Sequence, residues 1–142
     1  MGRYEVIESM AVADCALDIE ADSLDDLFVT AARALTELMV DPAGVSADVE
    51  REIALTAPSL DLLLFDWLSE LIFLKDSEQL VFTEVSVHVD GSSPTRLEAR
   101  LRGAALDPAR MTLRADPKAV TFHQFAVAAR DGGWRARVVI DI

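Results

Sequence analysis

The sequence predicts an α+β fold in which two helices pack on an antiparallel or mixed β-sheet, within one compact domain spanning residues 1–142. Three observations carry this expectation. Two segments place apolar residues at helical spacing, the remaining ordered segments alternate apolar with polar residues, and short turn clusters separate them in place of linkers. A chain of 142 residues suits one domain. At that length folding buries roughly 68–70% of the surface an unfolded chain exposes, enough for a core without staples. Apolar residues make up 51% of the chain and aromatics only 6%, so that core should be mainly aliphatic.

The elements follow in order. Arg3 to Glu8 alternates weakly and reads as a short strand. Ala13 to Ala21 alternates better, with Cys15, Leu17 and Ile19 on one face and Asp14, Asp18 and Glu20 among the rest. Ser23 is an N-cap residue, Asp26 follows three positions on, and Leu24, Leu27, Phe28, Ala31, Leu35, Leu38 and Met39 keep helical spacing. Asp41-Pro42 and Gly44 stop that helix. Val49 to Ala57 reads as a strand. Ser59 caps a second helix expected to run to about Lys75, so apolar around most of its girth that it should be buried on most sides. Val81 to Val89 and Arg96 to Arg102 flank the turn cluster Asp90-Gly91-Ser92-Ser93-Pro94 and predict an antiparallel hairpin. Ala119 to Ala128 and Trp134 to Ile140 form the last two strands, joined at Asp131-Gly132-Gly133.

Charge narrows the function classes. Acidic residues outnumber basic ones 25 to 13, for a formal net charge of −12. An autonomous nucleic-acid binder needs a basic footprint to neutralise phosphates, so work near RNA would have to proceed by docking on a basic protein. No apolar run approaches the ~20 residues of a membrane span. The N-terminal residues show no apolar signal region, and Cys15 is the single cysteine; both suit a reducing cytoplasm.

Enzyme signatures are missing. There is no Gly-rich phosphate loop and no Gly-x-Ser-x-Gly elbow. Cys15 sits on an apolar strand face, where a lone thiol is usually core. His88 and His123 are isolated from each other, a poor basis for a triad or a zinc site. The ending Val138-Val139-Ile140-Asp141-Ile142 is more unusual: a strand carried to the final residue. The carboxylates of Asp141 and Ile142, with Asp14 from an early strand, would offer hard oxygen donors for Ca²⁺, Mg²⁺ or Mn²⁺. The plainer reading is a strand that completes the sheet. Lys118, behind Arg114-Ala115-Asp116-Pro117, is the other candidate, against the plainer reading of a solvated lysine at a strand start.

Taken together, four stretches resemble the archease family along nearly the whole chain. They are Ser23-Leu24-Asp25-Asp26-Leu27-Phe28 through Met39, Leu63-Leu64-Phe65-Asp66-Trp67 through Phe73, Pro117-Lys118-Ala119-Val120-Thr121-Phe122-His123, and Gly132-Gly133-Trp134 through Ile142. The resemblance implies a non-catalytic accessory protein that activates the GTP-dependent tRNA-splicing RNA ligase by promoting its guanylylation and turnover, touching tRNA only through the ligase. It places metal ligands on Asp14, Asp141 and Ile142, and an activating lysine on Lys118. One departure stands out: the family's His-Thr-Ala-Asp reads Ala11-Val12-Ala13-Asp14 here, so a polar neighbour that would orient the carboxylate is missing. Glu8 or Ser9 would be the candidates to compensate. The alternatives are a metal-dependent hydrolase or transferase built on the same carboxylates, and a chaperone-like module that binds through the apolar second helix.

Overall fold

The computed structural model describes residues 2–8 and 14–142. Seven strands and two α-helices follow in the order β1 (Arg3–Glu8), β2 (Asp14–Ala21), α1 (Leu24–Met39), β3 (Val49–Ala57), α2 (Leu60–Glu78), β4 (Leu80–Asp90), β5 (Thr95–Ala105), β6 (Ala119–Arg130) and β7 (Gly133–Asp141). A short 3-10 turn, Pro42–Gly44, lies between α1 and β3. The strands form two antiparallel sheets, a four-stranded one ordered β1-β2-β7-β6 and a three-stranded one ordered β3-β5-β4. The α+β expectation holds, with the strands divided between two sheets. Alternation announces which face of a strand is buried but not which strand lies beside it, so the division was invisible in the sequence. Ser9 and the Ala11-Val12-Ala13 departure, with the expected strand start at Ala13, fall outside the described residues, as does the side chain of Glu8.

Both helices begin where the caps predict. Ser23 Oγ accepts from the Asp26 N–H at 3.1 Å, and Ser59 Oγ accepts from the Leu62 N–H at 3.3 Å. Asp25 and Asp26, and Asp61 in α2, place negative charge at the positive helix ends. α2 continues to Glu78, past the Lys75 end expected from sequence, and stops at Gln79 in the left-handed region, φ 56°. Gln79 donates its N–H to Leu74 O and closes the last turn.

Each helix packs on both sheets: α1 against β2, β7 and β4, and α2 against β3, β4, β5 and β6. The buried centre is formed by Leu27, Phe28 and Leu35 of α1 and Leu63, Leu64, Trp67 and Leu68 of α2, all without solvent exposure. Each such side chain contributes about 1.5–3 kcal/mol relative to an exposed one. Trp67 Nε1 donates to Phe28 O at 3.0 Å, so the largest core side chain carries no orphaned donor. Thr36 ties α1 to β4 through Oγ1 donating to Phe82 O at 3.1 Å. Cys15 lies in this core as expected. Two α2 residues depart from the expectation of burial on most sides: Leu62 is 37% exposed and Phe73 59%. The two sheets and α1 cover one flank of the helix, and among the described residues no layer lies over its opposite stripe.

Candidate functional site

The outward face of the four-stranded sheet gathers the residues singled out from sequence. Along β2 the odd positions Cys15, Leu17 and Ile19 enter the core, so Asp14, Ala16, Asp18 and Glu20 face outward. β7 runs antiparallel to it, pairing Asp14 with Asp141, Ala16 with Val139, Asp18 with Arg137 and Glu20 with Arg135. On the other side of β7, Asp141 pairs with Ala119 of β6, and the Lys118 N–H donates to Asp141 O at 2.7 Å. Asp14, Asp141 and the backbone of Lys118 thus meet at one end of the sheet, with Ile142 next in the chain. Ile142 packs its side chain against the core.

Charge differs along this face. Arg137 grips Asp18 through both carboxylate oxygens at 2.7 Å, and Arg3 pairs with Glu20. The hydrogen bonds from Arg137 hold the Asp18 carboxyl below its ordinary pKa and raise that of Arg137 in return. Asp14 and Asp141 make no ion pair with another described residue. Directly opposed residues of an antiparallel pair hold their Cβ atoms about 4.5–5.5 Å apart, close enough for two carboxylates to repel each other. The neighbouring row is drier: Ala16 is 2% exposed and Val139 1%, and Thr121 Oγ1 is buried without a hydrogen-bond partner among the described residues. Two carboxylates un-neutralised among the described residues, beside a nearly buried row, are hard oxygen donors and fit a hard divalent cation in chemistry. Among the described residues no three His, Cys, Asp or Glu side chains converge, so further ligands would have to come from groups other than these described side chains.

Lys118 is exposed, and no ion pair joins its ammonium to either carboxylate. Its position is fixed from below by a residue that sequence reasoning missed. Lys75 of α2 is only 6% exposed, yet its Nζ donates to Asp116, to Pro117 O at 2.7 Å and to Asp76 at 2.8 Å. Burial pushes the Lys75 pKa down, but the hydrogen bonds to Asp116 and Asp76 outweigh it and the pKa is raised. A lone base in so apolar a helix was the signal available. The second missed feature is a bulge in β6, whose register jumps from Thr121 to Ala126. Phe122 and Phe125, three apart, cannot share a face of a regular strand. The bulge lets both reach Phe65 of α2, Phe122 stacked on it with centroids 4.0 Å apart and Phe125 edge-on at 5.8 Å. His88 lies exposed on β4 with Nδ1 3.6 Å from Asp25, and His123 is exposed in the bulge, so neither joins the carboxylates.

Comparison with known proteins agrees with this architecture. Residues 4–142 match the model of the archease protein family (MTH1598/TM1083). The chain is 33% identical to the protein archease of Methanosarcina mazei over 142 residues, covering 99% of this chain and 96% of that one. It is also 33% identical to the protein archease of Archaeoglobus fulgidus, covering 99% of each. The solution structure of Methanobacterium thermoautotrophicum protein 1598 superposes with a TM-score of 0.84 at 31% identity, covering 98% of each chain. A crystal structure from Thermotoga maritima, described as an archease and possible chaperone, gives 0.64 at 18% identity over 96% of each chain, a likeness of fold alone. The chain belongs to the archease family.

Proposed function

We propose that this chain is a non-catalytic protein cofactor of a GTP-dependent tRNA-splicing RNA ligase, raising the ligase's guanylylation and turnover in the cytoplasm. The observation that supports this best is the pairing of Asp14 with Asp141, un-neutralised among the described residues, at the sheet end where Lys118 is anchored. Asp14, Asp141 and the carboxylate of Ile142 would hold a divalent cation, Ca²⁺, Mg²⁺ or Mn²⁺. Bound there, the ion supplies positive charge for phosphate oxygens. Lys118 adds an exposed ammonium at the same end of the sheet, suited to compensating charge on a nucleotide being transferred. The net charge of −12 disfavours direct RNA binding, so tRNA is met through the ligase. No helix among the described residues is long and apolar enough to cross a membrane.

A pulse of α-labelled GTP with the ligase, with and without this protein, tests the reading. Label on the ligase should rise with the protein, fall back with Lys118→Ala, and fall with Asp141→Asn in a way that excess Mn²⁺ partly restores. Label transfer indifferent to the wild-type protein would refute it. One observation favours a second reading, a chaperone-like binding module: Phe73 and Phe122 are 59% and 62% exposed. That reading requires suppression of aggregation in the absence of any ligase. Substrate turnover by the purified protein, lost in Asp14→Ala, would instead mark a hydrolase or transferase.

A further inference from the structure

We infer that the outer stripe of α2, together with the Phe122 ring, is a docking surface for a basic, aliphatic face of the ligase; this rests on the proposed cofactor reading. β6 abandons its ladder between Thr121 and Ala126 and sets Gln124 at φ 53°, an uncommon conformation for a residue other than glycine. Burial explains only part of the departure, because it packs Phe125 against the core but leaves Phe122 62% exposed. What it achieves is a ring held flat on Phe65, interplanar angle 3°, with its other face open. An arginine guanidinium is the group best suited to that open face.

The platform is continuous with α2 and with the carboxylate end of the sheet. Lys75 meets Pro117 and Phe65 meets Phe122, so helix and strand run antiparallel side by side. Ten helical residues span about 15 Å, and the five residues from Pro117 to Phe122 span about 16 Å. On the outer stripe Leu62 and Phe73 alternate with Asp66 and Asp76, all exposed. The only base of α2 is Lys75, which is buried. The stripe therefore offers apolar area with the negative charge of Asp66, Asp76 being paired with Lys75, in a chain of net charge −12. Its complement is a surface of arginines or lysines among aliphatic side chains. Phe122 lies four residues from Lys118, about 13 Å along a strand. A standard interface of roughly 800 Å² per partner has a radius of about 16 Å, so one partner can cover both.

The test is the Kd for the ligase at two salt concentrations, together with the stimulation reached at saturating protein. Phe122→Ala combined with Phe73→Ser should raise Kd at least tenfold and leave saturated stimulation intact. Asp66→Lys should weaken binding and flatten its salt dependence; being exposed, it keeps the test valid should Phe122→Ala lower the melting temperature. Lys118→Ala should do the reverse, reducing stimulation with little change in Kd. Unchanged Kd in the aromatic and Asp66 variants, with wild type binding and stimulating, overturns the surface and leaves the cofactor reading standing. Wild type that neither binds nor stimulates overturns both. A dimer in sedimentation that Phe122→Ala dissolves would assign the surface to a second copy of the chain and overturn the inference.

Discussion

Replacing Lys75 by methionine keeps the length of the side chain and removes its charge. Lys75 is 6% exposed, whereas its partners Asp116 and Asp76 are 75% and 57% exposed. When the ammonium goes, both carboxylates regain water and cost little. The buried hydrogen bond to Pro117 O has no substitute. An orphaned buried acceptor costs about 1–3 kcal/mol, and methionine packs well enough to add no cavity, so the expected loss is about 2 kcal/mol. Unfolding entropy near 2.1 cal/mol/K per residue gives roughly 0.3 kcal/mol/K for a chain of this size, so Tm should fall by about 7 °C. The damage should also be local. The Lys118 amide, bonded to Asp141 O, should exchange with solvent at least tenfold faster, about 1.4 kcal/mol of lost protection. Calorimetry and amide exchange measure the two effects. A Tm within about 2 °C of wild type, with unchanged Lys118 exchange, would refute Lys75 as the anchor of this segment.

Burial first, and then the hydrogen bond to Glu37, raise the Tyr4 pKa from 10.0 to about 12. The folded form holds that proton more tightly, so the associated stability is complete below pH ~10 and is lost as pH climbs through ~12; urea midpoints should decline across that window, and less steeply in Tyr4→Phe. Gly103 has no room for a side chain, because a Cβ there would lie 1.9 Å from Val81 O and 2.7 Å from Phe82 Cα. Gly103→Ala should therefore cost about 2–3 kcal/mol by overpacking against backbone, read from chemical denaturation. Asp18 has its pKa lowered by the Arg137 hydrogen bonds, so their contribution is present above its ordinary value of 3.8 and lost as pH falls below it. Because both side chains of the pair are more than a third exposed to solvent screening, Asp18→Asn should cost no more than about 1 kcal/mol at neutral pH and should flatten the acid limb of the stability curve.

Local chemistry made most elements readable. Ser23 and Ser59 announce both helices because a hydroxyl at that position satisfies an orphaned amide, which depends on nothing remote. Cys15, Leu17 and Ile19 announce the inner face of β2 because side-chain direction follows the period of a strand. Pairing is non-local, so the division into two sheets was not readable, nor was the opposition of Asp14 and Asp141, 127 residues apart in the chain (141 − 14). Family likeness suggested that proximity; periodicity could not. The exposure of Leu62 and Phe73 was misread because an apolar sequence records what a side chain is, not which flank its neighbours cover. Lys75 was missed for a related reason: two of its three acceptors, Asp116 and Pro117 O, come from a loop more than forty residues away.

In the proposed function Asp14 and Asp141 act as one cation site. Calorimetric titration of the protein with Ca²⁺ and with Mn²⁺ measures this directly. One ion should bind per chain, and either Asp14→Asn or Asp141→Asn should weaken binding at least tenfold. Asp18→Asn, which removes the same charge from a carboxylate already held by Arg137, should leave affinity unchanged. Binding that is absent in the wild-type protein, or equal in wild type and Asp141→Asn, would contradict it.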